Sequence, residues 1–74
     1  MHLTKSEQNV LRNMKDGMRV VDVARKINVI HNYALYIVNK LEEKGIIKSE
    51  KKRKERFIFL TKKGKKLQEV LKCL

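Results

Sequence analysis

The chain has 74 residues, enough for one domain with one small core. Apolar residues make up 42% and charged residues 36%, the formal net charge is +11, and Cys73 is the only cysteine. An intrachain disulfide is therefore excluded. The longest apolar run, Tyr33-Ala34-Leu35-Tyr36-Ile37-Val38, is far short of a membrane-spanning helix.

With no proline and glycine only at 17, 45 and 64, the chain favours helices with short joints. Met1-His2-Leu3-Thr4-Lys5 leads directly into a polar helix start, so a cytoplasmic protein is expected. Thr4-Lys5-Ser6-Glu7 reads as a capping box, with Val10, Leu11 and Met14 as the apolar stripe behind it. Lys15-Asp16-Gly17 ends this helix, with Gly17 in the left-handed position just past it. A second helix is expected from about Val20 to Ile27, burying Val20, Val23, Ala24 and Ile27 and turning Arg19, Asp22, Arg25 and Lys26 to solvent. Asn28 suits a left-handed stop, and Val29 plugs the turn.

The third helix begins near His31 or Asn32 and ends at Lys44, with Gly45 as its stop. On a helical wheel Ala34, Ile37, Val38 and Leu41 cluster on one side. Asn32, Tyr36, Asn39 and Glu43 lie opposite, flanked by Tyr33, Leu35 and Lys40. A face that only needs solvation is usually Glu and Lys; this one offers groups that hydrogen-bond and stack. Residues 46–50 and 56–60 then form a β-hairpin. Its joint lacks Gly, Asn or Asp at the tip, so a mobile loop of about four to six residues is expected in place of a tight turn. Thr61 caps a last helix, residues 61–73, whose stripe is Leu67, Val70, Leu71 and Leu74. Lys62, Lys63, Lys65 and Lys66 crowd its first turn against the helix dipole, which points to a functional use.

Residues 44–66 hold eleven basic and two acidic side chains, hence +9 of the +11. Such a one-sided field attracts polyanions, nucleic acid first and an anionic membrane surface second. His2, His31 and Cys73 show no metal-ligand spacing, and no nucleophile–base pair, carboxylate dyad or phosphate-cradling glycine loop is present. No enzyme, metal, cofactor or small-molecule ligand is expected. His31 reads as a polar turn residue and Cys73 as a helix-end residue.

The order of helix, helix, helix, hairpin, helix is a mostly α domain with a small hairpin (α+β), spanning 1–74. It resembles the winged helix-turn-helix family, most closely small MarR-type regulators. The likeness rests on Leu3-Thr4-Lys5-Ser6-Glu7-Gln8-Asn9-Val10-Leu11, on Val21-Asp22-Val23-Ala24-Arg25-Lys26-Ile27-Asn28-Val29, on Leu41-Glu42-Glu43-Lys44-Gly45-Ile46-Ile47 and on Leu60-Thr61-Lys62-Lys63-Gly64-Lys65-Lys66-Leu67. Asn28 stands where the family favours glycine. In the wing the family's Asp and Arg fall at Lys52 and Lys54, which suggests a flexible charge brush. Ile30 and His31 replace the usual Ser or Thr cap, leaving Asn32 to cap the recognition helix. The long outer helices that give these regulators their dimer and ligand pocket have no counterpart here, which argues against ligand sensing.

The resemblance implies a recognition helix (31–44) in the major groove of double-stranded DNA, reading bases with Asn32, Tyr33, Tyr36, Asn39 and Lys40. Tyr33 has the alternative of packing on the helix flank. The wing (46–60) would place Lys51, Lys52, Arg53, Lys54 and Arg56 on phosphates, Arg53 reaching the minor groove. Ile58 and Leu60 face the core. Phe57 and Phe59 need a cover, from the last helix or from a second subunit through Leu67, Val70, Leu71 and Leu74; a homodimer is favoured. The expected function is a sequence-specific transcriptional regulator, a repressor, in the cytoplasm at the nucleoid. A non-specific architectural DNA-binding protein and a protein-interaction module of a transcription or replication complex are the alternatives.

Overall fold

The computed structural model describes residues 3–73. In chain order it forms α1 (Lys5–Asn13), β1 (Met18–Arg19), α2 (Val20–Ile27), α3 (His31–Glu43), β2 (Ile47–Lys52), β3 (Glu55–Leu60) and α4 (Lys62–Lys72). The expected order holds, with β1 added. β3 is the central strand of an antiparallel sheet, pairing with β1 on one edge and β2 on the other.

The helix boundaries follow from local chemistry. Thr4 Oγ1 accepts from the Glu7 amide at 3.1 Å while Glu7 Oε1 accepts from the Thr4 amide at 2.9 Å, the capping box expected. α1 then stops at Asn13, earlier than Gly17, because Met14 is already extended. Gly17 (φ +85°) instead forms the turn into β1 and donates its N–H to the Ile58 carbonyl at 2.8 Å. The carbonyls of Leu11 and Met14 are satisfied from a distance by Gln68 Nε2, at 2.8 and 2.7 Å. Both α2 and α3 end in Schellman motifs. Asn28 (φ +59°) lets Val29 N–H reach the Ala24 carbonyl, and Gly45 (φ +75°) lets Ile46 N–H reach that of Leu41.

Two expectations fail in instructive ways. Asn32 does not cap α3: the helix starts at His31, Ile30 is the N-cap, and no side chain bonds the first amides. The hairpin joint is not a loop of four to six residues. Strand pairing runs through Lys51↔Arg56 and Lys52↔Glu55, leaving a two-residue turn, Arg53-Lys54. Arg53 takes φ +58° to close it, a conformation costing an L-residue other than Gly or Asn about 1–2 kcal/mol.

The core joins Val10, Leu11 and Met14 of α1 and its end to Val20, Val23 and Ala24 of α2, to the inner face of α3, and to Ile46, Ile47, Ile58 and Leu60. The two alanines, Ala24 and Ala34, are both buried on helices that pack against each other. Val29 is only half-buried, packed at the core's margin. Among the described residues Glu7 is the buried charged one, 4% exposed, and Lys44 Nζ meets both its carboxylate oxygens at 2.8 and 2.7 Å. Burial pushes the Glu7 carboxyl up. The hydrogen bonds from Lys44 and Thr4 and the Lys44 charge outweigh it and hold the group below the usual range. A depressed folded value contributes stability above the unfolded value that is lost as pH falls through the folded one. Glu7→Gln keeps the capping geometry but removes the charge, so it is expected to cost roughly 2 kcal/mol at neutral pH. That difference should vanish below the folded Glu7 value; urea unfolding of both proteins from pH 7 to pH 2 measures it, and a pH-independent gap would contradict the ion-pair account.

Candidate nucleic-acid interface

α3 is buried along Ala34, Ile37, Val38 and Leu41, so its opposite side is free. Asn32, Tyr36, Asn39 and Lys40 are all exposed there. Lys40 Nζ lies 5.5 Å from the Tyr36 ring centroid, a cation–π contact that aligns the two side chains. Tyr33 sits to one side, where its hydroxyl and Ser6 Oγ share a 2.7 Å hydrogen bond, tying it to α1. Ile30, at the N-cap, is 73% exposed.

The β2–β3 hairpin stands beside this face, and ion pairs fix it there. Arg19 Nη1 donates to Glu55 Oε1 at 2.6 Å, joining the edge strand β1 to the hairpin. Arg19 also grips Asp22 through Nε and Nη2, both at 3.0 Å. The hydrogen bonds from Arg19 hold the Asp22 carboxyl down, and those to Asp22 and Glu55 hold the guanidinium up. On the other side Arg56 Nη2 donates to Glu42 Oε1 at 2.7 Å, Arg56 Nη1 to Asn39 Oδ1 at 2.8 Å, and Ser49 Oγ to Glu42 Oε1 at 2.8 Å. Ser49 first, then Arg56, hold the Glu42 carboxyl below its usual range against the opposing effect of burial. Between hairpin and helix runs a groove of about 690 Å³, whose walls include His31, Leu35, Lys51 and Lys54. At the hairpin's end Lys51, Lys52, Arg53 and Lys54 are exposed and make no ion pair within the described residues.

No family model matches the sequence, and no curated protein matches it. Solved structures do. FabT of Streptococcus pneumoniae, in complex with DNA, is 21% identical and superimposes with a TM-score of 0.89 over 96% of this chain and 53% of its own. A MarR-family transcriptional regulator from a Rhodococcus species is 23% identical, with a TM-score of 0.84 over 96% and 54%. The chain has the winged helix-turn-helix fold of MarR-type regulators. It spans about half the length of these regulators. A protein from Archaeoglobus fulgidus matches over more of its own length, 86% of it and 96% of this chain, at 26% identity and a TM-score of 0.87.

In winged-helix terms, α3 stands at the position of the recognition helix and β2–β3 at that of the wing. Four of the five side chains expected to read bases share one exposed face, while Tyr33 leans on α1. Of the five expected wing cations, four point out unpaired and Arg56 is engaged with Glu42 and Asn39. The wing expected as a charge brush has its strands paired to the tip and the Arg19–Glu55 ion pair joining it to β1, with the four tip cations exposed. On α4, Leu67 and Leu71 pack half-buried against the chain's own core, Val70 is 57% exposed, and Leu74 lies outside the described residues, as does His2. The lysines of its first turn are partly used within the fold. Lys63 Nζ donates to the Lys44 carbonyl at 3.2 Å and Lys65 approaches Asp16 at 3.8 Å. No described helix is long and apolar enough to cross a membrane, and no three described His, Cys, Asp or Glu residues gather as metal ligands.

Proposed function

We propose that the chain is a sequence-specific double-stranded DNA-binding regulator without enzymatic activity, acting as a repressor by occupying its site. One observation carries this reading: an exposed Asn32-Tyr36-Asn39-Lys40 edge set beside a strand-paired wing with four unpaired cations. The helix would lie in the major groove with its uncapped N-terminus towards a phosphate, and Lys51, Lys52, Arg53 and Lys54 would grip the backbone. DNA-bound FabT, with the same fold, supports the assignment. Two copies, meeting through α4 and its exposed Val70, would bind two half-sites. A protein doing this works in the cytoplasm, at the nucleoid.

A titration of a labelled duplex at rising salt tests the reading. Four phosphate contacts per chain predict a log–log slope near −3.6 per protomer, hence a loss of about a hundredfold between 50 and 200 mM salt. The saturation point of the same titration gives two chains per site if the dimer is right. Salt-insensitive binding would remove the wing from the interface, and binding equal on all sequences would favour the architectural alternative.

A further inference from the structure

Arg56 and Asn39 meet across the boundary between wing and recognition helix, and the chemistry of that meeting fixes an orientation. A guanidinium carries N–H donors only, so the atom of the Asn39 amide that it touches at 2.8 Å is the carbonyl oxygen. Nδ2, with its two donors, is therefore turned away from the wing. Arg56 is itself held, since its Nη2 bonds Glu42, whose accepting oxygen is also bonded by Ser49. The relay runs from β2 through α3 to β3 and ends on a side chain in the middle of the exposed face.

We propose that Arg56 is a positioning residue that makes Asn39 a donor towards the major groove, so that it reads guanine and declines adenine. This rests on the DNA-binding reading above. Bidentate pairing of an asparagine with adenine needs Oδ1 to accept from N6 while Nδ2 donates to N7. Arg56 already takes one of the two lone pairs of Oδ1, and its cationic N–H groups beside that oxygen disfavour a second donor such as adenine N6. Guanine presents two acceptors, N7 and O6, to the free Nδ2 donors. Thymine presents one acceptor beside a methyl group, and cytosine presents a donor that Nδ2 repels. Arg56 accordingly has a different task from Lys51, Lys52, Arg53 and Lys54: its charge is matched by Glu42, and it adds no phosphate contact.

Selection of sites from a random duplex pool, run on the wild type, Asn39→Leu, Arg56→Met, Arg56→Lys and Glu42→Gln, tests this, with a salt titration of each. The position whose preference disappears in Asn39→Leu is the one Asn39 reads, and in the wild type it should be guanine. Arg56→Met should cut that preference about tenfold and let adenine rise, with the salt slope unchanged. Glu42→Gln, which loosens Arg56 without touching Asn39, should move the preference in the same direction, and Arg56→Lys should restore part of it. Asn39 and Glu42 are exposed and Arg56 is half-buried at the surface, outside the apolar core, so thermal unfolding should stay near the wild-type midpoint. Adenine at the Asn39 position, no position altered by Asn39→Leu, or a salt slope reduced by about 0.9 in Arg56→Met with base preference intact would each overturn the inference alone. Failure of the wild type to retain any duplex would overturn the DNA-binding reading and this inference with it.

Discussion

Gly64→Ala is expected to destabilise the domain by roughly 2–3 kcal/mol, although alanine for glycine inside a helix ordinarily gains about 1 kcal/mol. A Cβ at position 64 would stand 2.0 Å from the Ile46 carbonyl oxygen, 3.1 Å from its carbon and 3.2 Å from Leu60 Cδ2. The obstacle is backbone, and it cannot retreat cheaply. The Ile46 oxygen accepts from the Thr61 amide at 3.1 Å and from Thr61 Oγ1 at 2.9 Å. The same Thr61 oxygen accepts from the Gly64 amide at 3.1 Å, so a shift of α4 loosens the cap as well. For a domain of this size the loss should lower the thermal midpoint by about 10–20 °C. A midpoint that rises, as for a glycine in an open helix, would show that α4 does not need this close approach.

Thr61 and Gly64 also show how much of the molecule was legible. The capping threonine and the glycine three residues on could be read as the start of α4. That the glycine exists to let α4 approach the carbonyl of Ile46 could not, because the partner lies 18 positions away. The helices were legible because their signals are local: a capping box at Thr4, a 3-1-3 apolar spacing in α2, left-handed stops at Asn28 and Gly45. The exposed face of α3 was legible for the same reason. β1 was missed since two residues show no alternation. The full length of the hairpin was missed because Lys51, Lys52 and Glu55 have poor strand propensity. They pair because β3 is fixed between two strands and Ile58 is anchored in the core. The ion pairs that set the wing, Arg19 with Glu55 and Arg56 with Glu42, join residues brought together only by the fold. Glu7 was read as a cap, correctly, but its bond to Lys44 removes one cation from the outward-facing set.

Arg53→Asn combined with Lys54→Gln should weaken binding to every duplex by roughly thirtyfold per bound chain near physiological salt, while the protein itself becomes no less stable. Each lost phosphate contact lowers the salt slope by about 0.9, or roughly fivefold in affinity at 0.15 M salt relative to a 1 M reference. The two multiply, and because phosphates carry no sequence, two unrelated duplexes measured by fluorescence anisotropy should lose affinity alike. A loss confined to one sequence would mean that the turn reads bases. Stability moves the other way. Arg53 holds φ +58°, where asparagine is tolerated far better, so the single change Arg53→Asn should raise stability by about 0.5–1 kcal/mol. A lower midpoint for that single variant would show that the arginine is not strained. The two measurements together separate what the turn needs from what the wing needs: local backbone preference favours asparagine at position 53, and only a polyanionic partner gives a reason to hold an arginine there.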